Sequence, residues 1–168
     1  MILKLINKAA GVLGLVVNKK QDPVSFDIRQ DKAFMDIYGP CKPYTMTSPE
    51  RMYSLYKAIE YILDNNIKGD FVECGVWRGG SSMLIALTLL RKGVSDRNIY
   101  LYDTFEGMSE PTEADISYSG KSAEKLLREK DKMNTDSIWC YSPIDTVKSH
   151  LLSTGYAEKH LFFCKGKS

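Results

Sequence analysis

A chain of 168 residues with 43% hydrophobic and 26% charged residues falls in the ordinary globular class and is long enough for one buried core. A net charge of +2, from 23 Lys and Arg against 21 Asp and Glu, is too small to argue for a phosphate-backbone partner, so nucleic acid is set aside. The four cysteines form no C-x-x-C pair and only two histidines exist to complete a zinc site. The thiols are therefore read as free, in a reducing, cytoplasmic compartment.

Residues 1–20 place Lys4 and Lys8 ahead of an apolar run from Ala9 to Val17, closed by Asn18-Lys19-Lys20. Gly11 and Gly14 interrupt the run, which is far shorter than the roughly 20 residues of a membrane span and lacks a convincing cleavage site. A short amphipathic arm is favoured over a signal peptide, and no membrane span is expected. Residues 21–44 hold Pro23, Pro40 and Pro43 among scattered charges and aromatics, without sustained periodicity, which predicts an irregular segment draped over the remainder. The chain thus divides into an arm, 1–44, and a globular part, 45–168.

A helix begins at Ser48, a capping residue, with Pro49 at the first helical position and Glu50 at the positive dipole end. Met52, Leu55, Tyr56, Ile59, Ile62 and Leu63 recur at three- and four-residue steps, and Asn65-Asn66 with Gly69 ends the element. Phe71 to Gly75 reads as a strand, Ser81 to Arg91 as a helix stopped by Gly93, and Asn98 to Asp103 as a second strand. A long loop precedes a charged helix around Lys121 to Lys132, a helix started by Pro143 and ended by Gly155, and a third strand, Leu161 to Cys164. Alternation of strands and helices predicts an α/β fold with a parallel, doubly wound sheet and right-handed crossovers. Cys74 and Cys164 lie in apolar runs and are read as core residues.

Ligands of such sheets bind beyond the carboxyl ends of the strands. The first strand runs into Glu73-Cys74-Gly75-Val76-Trp77-Arg78-Gly79-Gly80-Ser81-Ser82, a glycine-bearing turn that opens a helix. A dinucleotide fingerprint would need glycine where Trp77 stands, and the acid Glu73 would repel a pyrophosphate. An NAD site is therefore disfavoured, and a cationic, hydroxyl-bearing ligand is favoured. Asp103 ends the second strand, where a carboxylate can accept two hydrogen bonds from ribose hydroxyls; on its own it could equally cap a turn. S-adenosylmethionine carries both a cation and a ribose.

Three separated motifs, Thr45 to Met52, Gly69 to Ser81 and Tyr102 to Met108, resemble those of the macrocin O-methyltransferase family, over about residues 44–167. The resemblance implies a Rossmann-like class I methyltransferase fold. It further implies methylation of hydroxyls, often on deoxysugars of natural products, using S-adenosylmethionine and a divalent cation, usually magnesium. By the same resemblance Glu73, Gly75, Arg78, Gly79 and Ser81 surround the methionine part of the cofactor, and Asp103 binds its ribose. Thr104, Phe105 and Gly107 shape the neighbouring wall, and Met46 closes over the cofactor. Plainer roles stay open for Arg78 as a solvated charge and Met46 as a gap-filler, and Trp77 beside them is read as packing against the first helix.

Glu106, Glu110, Glu113 and Asp115 concentrate acid around Pro111 without ligand spacing, which predicts a lid with substrate-facing acids and no metal site there. His150 reads as a surface histidine and His160 as the residue that opens the third strand. In the resembled family the metal-binding and general-base turns lie downstream of the third strand, so the chain reads as the N-terminal half of such a domain, truncated after that strand, with its catalytic residues unassigned. The open edge of the first strand predicts instability, dimerisation or a missing partner segment. Two readings follow: a metal-assisted O-methyltransferase acting on a sugar or glycosylated small molecule, represented incompletely, or a noncatalytic module that binds cofactor or a partner.

Overall fold

The computed structural model describes residues 25–117, 120–128 and 139–166. The expected arm helix within residues 1–20 and the far end of the charged helix, 129–132, lie outside the described residues. The elements in chain order are α1 (Phe26–Gln30), α2 (Lys32–Cys41), a 3-10 turn (Lys42–Tyr44), α3 (Pro49–Asp64), β1 (Phe71–Cys74), α4 (Gly80–Arg91), β2 (Ile99–Asp103), α5 (Ala123–Arg128), α6 (Ile144–Leu152), a 3-10 turn (Glu158–His160) and β3 (Leu161–Lys165).

The irregular segment expected over 21–44 is corrected: α2 is a helix whose Phe34, Ile37, Tyr38 and Cys41 are buried at three- and four-residue steps. Asp31 caps it by accepting the Phe34 amide N–H at 3.0 Å. Pro40 stands one residue before the end of α2, where it forgoes the single bond its N–H would have made to the Asp36 carbonyl, and the chain then tightens into the 3-10 turn that carries Pro43. Helix α3 starts as its sequence demands, with Ser48 Oγ accepting from the Arg51 amide and Pro49 at the first position. It buries Met52, Tyr56 and Ile59, and α2, α3 and α4 pack on one another through Phe34, Met52, Ile59, Leu84 and Leu89.

Among the described residues the sheet is three-stranded and parallel, in the order β1-β2-β3. Its register aligns Phe71 with Ile99 and Leu161, and Cys74 with Tyr102 and Cys164. Strands laid down in one direction through right-handed crossovers place their connecting helices on one face. That face buries Phe71, Ile99, Leu101 and Leu161. The opposite face presents Val72, Tyr102 and Phe162 at 61%, 44% and 39% exposure.

The expectation that Cys74 and Cys164 are core residues is therefore corrected. Alternate strand residues point to opposite faces, and both cysteines share the uncovered one, Cys74 exposed and Cys164 partly buried. A continuous apolar run predicts cover on both faces, and among the described residues only one face is covered. No helix among the described residues is long and apolar enough to cross a membrane.

Candidate functional site

The site is assembled where β1 and β2 end. Gly75 continues the ladder, its N–H donating to the Tyr102 carbonyl at 2.9 Å, and then leaves it with φ +83°. Among the described residues nothing lies within 4 Å of where a Gly75 Cβ would stand, so the left-handed turn opens away from them. Val76 and Trp77 follow, and both donate their backbone N–H groups to Asp103 Oδ2, at 2.6 and 3.1 Å. Asp103 Oδ1 accepts the Phe105 N–H at 2.8 Å, and the Asp103 carbonyl accepts from Gly166 N–H at 3.0 Å, at the end of β3.

Asp103 thus braces the turn, one of the two roles left open in the sequence, and it also lines a cleft. Thr104 Oγ1 lies 3.4 Å from Asp103 Oδ1 but 3.0 Å from the Gly107 carbonyl, the better acceptor for its proton. A carboxylate has about four acceptor directions. With three taken by backbone N–H groups, one direction on Oδ1 remains for a ligand hydroxyl.

Glu73 lies on the covered sheet face and accepts a hydrogen bond from Ser82 Oγ in the first turn of α4, at 2.5 Å. Burial pushes its carboxyl above the usual glutamate range, and hydrogen bonds from Ser82 and Ser81 oppose that rise without cancelling it. A buried acid of this kind gains from a cation placed beside it.

Two clefts flank the Gly75–Trp77 turn and share both of those residues. One, of about 100 Å³, is lined by Glu73, Ser81 and the Tyr44–Thr47 strap, including Met46. The other, of about 240 Å³, is lined by Asp103, Gly107, Met108 and Cys140. A larger hollow of about 520 Å³ is walled by Gly120, Lys121, Ser122, Lys125 and Leu126; it includes no acid and no residue of the turns after β1 and β2, so its size does not make it the site.

Of the residues anticipated for the site, Met46, Glu73, Gly75, Ser81, Asp103 and Gly107 line the two clefts. Gly79 sits behind the turn against Leu151. Thr104 and Phe105 form the turn after β2, with Phe105 buried and facing Phe163. Arg78 is no free solvated charge: its guanidinium stacks 4.6 Å from the Trp77 ring. Met46 is two-thirds exposed on the strap. In the acidic loop, Glu106 pairs with Lys165 at 2.6 Å and Asp115 accepts from Thr112; Glu110 lines a separate hollow beside Trp139.

The sequence reading missed Tyr44, Ser82, Met108 and Cys140, and it misplaced His150. His150 is half-buried, with Nδ1 3.0 Å from the Arg78 carbonyl and its ring against Tyr44, so the surface reading is corrected. Its partner lies 72 positions away in sequence; only its spacing from Val147 and Leu151 on one helical face signals burial. Among the described residues four non-glycines have positive φ, and three of them, Trp77, Phe105 and Cys140, border this site. Strained backbone of this kind concentrates at functional positions. Trp77 Nε1 is buried and meets no hydrogen-bond partner among the described residues.

Comparison with known proteins gives the family and the fold. The model of the family described as Macrocin-O-methyltransferase (TylF) matches residues 11–151. The 8-demethyl-8-(2,3-dimethoxy-alpha-L-rhamnosyl)-tetracenomycin-C 4'-O-methyltransferase of Streptomyces olivaceus is 39% identical over 127 residues, 76% of this chain and 45% of that protein. The demethyldecarbamoylnovobiocin O-methyltransferase of Streptomyces niveus is 35% identical over 89 residues, 53% of this chain and 33% of that protein. The chain spans less than half the length of these curated relatives. The structure of the O-methyltransferase NovP superposes with a TM-score of 0.54 at 24% identity, over 71% of this chain and 46% of that one, which shows a shared fold.

Proposed function

Because this chain belongs to the macrocin O-methyltransferase family, we propose that its paired clefts bind S-adenosylmethionine and that the protein serves methyl transfer to a hydroxyl of a sugar-bearing small molecule. The observation that carries this reading is the placement of one acid on each side of the Gly75–Trp77 turn, Glu73 in one cleft and Asp103 in the other. The spacing suits a ligand with a cationic amino-acid end and a ribose end, and it is a poor host for a pyrophosphate.

In this reading Glu73 and Ser81 face the methionine end, with Met46 over it and Arg78 and Gly79 behind it. The remaining acceptor direction of Asp103 Oδ1 takes one ribose hydroxyl, and Gly107 with the turn of Thr104 and Phe105 forms the adjoining wall. Bound cofactor would supply an electrophilic sulfonium methyl; the chain's own part is to hold it oriented and shielded from water. The resemblance also implies a divalent cation. Among the described residues no group of three His, Cys, Asp or Glu side chains could hold a metal, and no step is assigned to one. The free cysteines support a cytoplasmic setting.

Equilibrium dialysis of the chain with labelled S-adenosylmethionine tests the cofactor reading. Displacement of the label by S-adenosylhomocysteine but not by NAD is expected, and displacement by NAD alone overturns it. A second reading, a noncatalytic binding module, is favoured by the open sheet face of Val72, Tyr102 and Phe162. Methyl incorporation into any glycoside hydroxyl would exclude it.

A further inference from the structure

Three segments meet behind the glycine turn. Helix α6 turns Val147, His150 and Leu151 toward it from one face. Val147 and Leu151 are fully buried, and a Cβ on Gly79 would stand 2.7 Å from Leu151 Cδ2 and 3.2 Å from Val147 Cγ1. His150 is the polar member of the face. Its Nδ1 lies 3.0 Å from the Arg78 carbonyl oxygen; a carbonyl only accepts, so Nδ1 carries a proton and donates it. The imidazole also lies 4.1 Å, centroid to centroid, from the Tyr44 ring. Tyr44 in turn sets its carbonyl oxygen 2.6 Å from where a Gly80 Cβ would be.

We propose that His150 is a positioning residue for the cofactor cleft, holding the Tyr44–Thr47 strap and the Arg78-bearing turn at a fixed separation through one ring contact and one hydrogen bond. The inference rests on the S-adenosylmethionine reading of that cleft. His150 lines neither cleft, so it acts through Tyr44 and Arg78 and touches no ligand. The two walls it joins carry Met46 on one side and Ser81 on the other, and a cleft of about 100 Å³ between them tolerates little drift in their spacing. A wall held in place before binding lowers the ordering cost of the ligand. Val147 and Leu151 already supply apolar contact with the turn, so packing alone calls for neither the imidazole donor nor its ring.

The test uses the full chain with three variants. His150→Phe keeps a ring beside Tyr44 and removes the donor. His150→Asn keeps a short donor and removes the ring. Leu151→Val loosens the same contact without touching either link. Calorimetric affinity for S-adenosylmethionine, urea midpoints and amide exchange at positions 45–47 and 76–80 are read together.

Expected is an affinity loss of about tenfold in His150→Phe with faster exchange in both segments, partial recovery of affinity in His150→Asn, and less than about a threefold change in Leu151→Val at a comparable urea midpoint. His150→Phe binding within about threefold of the parent overturns the proposal, as does an equal loss in Leu151→Val. Should His150→Phe fail to fold, unchanged affinity and exchange in His150→Asn overturn it instead. A parent chain that binds no S-adenosylmethionine overturns the cofactor reading and the cleft role with it, and the exchange arm then reports separately on whether His150 joins strap and turn.

Discussion

The Asp103 carboxylate reaches back 27 residues to accept the Val76 amide N–H at 2.6 Å, and with the Trp77 and Phe105 amides it draws the ends of β1 and β2 into one cradle. Asp103→Asn turns an NH2 group toward at least one of the backbone N–H groups that the carboxylate now accepts. A loss of about 1–3 kcal/mol in urea denaturation is expected. A ligand-only role for Asp103 predicts an unchanged midpoint.

Glu73 gives a pH signature of opposite sign to an ordinary surface acid. Burial raises its carboxyl above the usual range, so the folded state holds the proton more tightly than the unfolded one. Its contribution to stability is present below the ordinary glutamate pKa and is lost as pH rises through the raised value. Glu73→Gln removes that titration. Urea stability of variant minus parent should therefore grow more favourable to the variant as pH rises from about 4 toward neutrality; a difference independent of pH contradicts the burial argument.

Gly75 and Gly80 separate two uses of glycine in one turn. Alanine in a first helical turn ordinarily stabilises, but at Gly80 the new Cβ would stand 2.6 Å from the Tyr44 carbonyl. Gly80→Ala is expected to cost about 1–3 kcal/mol. At Gly75 the space is open and only the positive φ resists, so Gly75→Ala costs about 1–2 kcal/mol and also obstructs the cleft. Because Gly80 also lines the smaller cleft, thermal melts with and without S-adenosylmethionine should show a ligand-induced rise that is reduced in Gly80→Ala and absent in Gly75→Ala.

Lys57 ties the 25–44 segment to the domain. It pairs with Asp31 at 2.8 Å and Glu60 at 2.9 Å, and Lys92 links Glu60 to Asp64. Burial alone would raise the Asp31 carboxyl, but Lys57 and the Phe34 amide outweigh it and hold the pKa below its usual range. That stabilisation is present above the ordinary aspartate pKa and is lost as pH falls through the depressed value. Lys57→Met removes the ammonium from both acids and from the Tyr53 and Tyr56 rings over which it lies. It should cost only about 0.5–1 kcal/mol near neutrality, because Lys57 is half exposed, and less at low pH, by urea denaturation at both.

Local signals made most elements legible. Ser48-Pro49-Glu50 marks the start of α3, and the turn after β1 could be read as a ligand loop from Glu73, Gly75 and Trp77 alone. Helix α2 was obscured because Pro40 and Pro43 read as breakers, although Pro40 falls so near the end of the helix that only one intrahelical bond is lost. The outward face of Cys74 and Cys164 depends on which side of the sheet the helices fall, a property of strand order and not of either strand. Asp103 bracing Val76 and His150 holding Arg78 are contacts across 27 and 72 residues, which no local pattern encodes.

The central claim is that the turns at Gly75–Ser81 and Asp103–Gly107 form one S-adenosylmethionine site. An amide NMR titration of the chain with S-adenosylmethionine tests it most directly. The account predicts that Gly75, Val76, Trp77, Ser81, Phe105 and Gly107 shift along one saturable isotherm, together with the Trp77 indole N–H. Absence of shifts at these amides, or shifts confined to Val72, Tyr102 and Phe162 on the open sheet face, would contradict it.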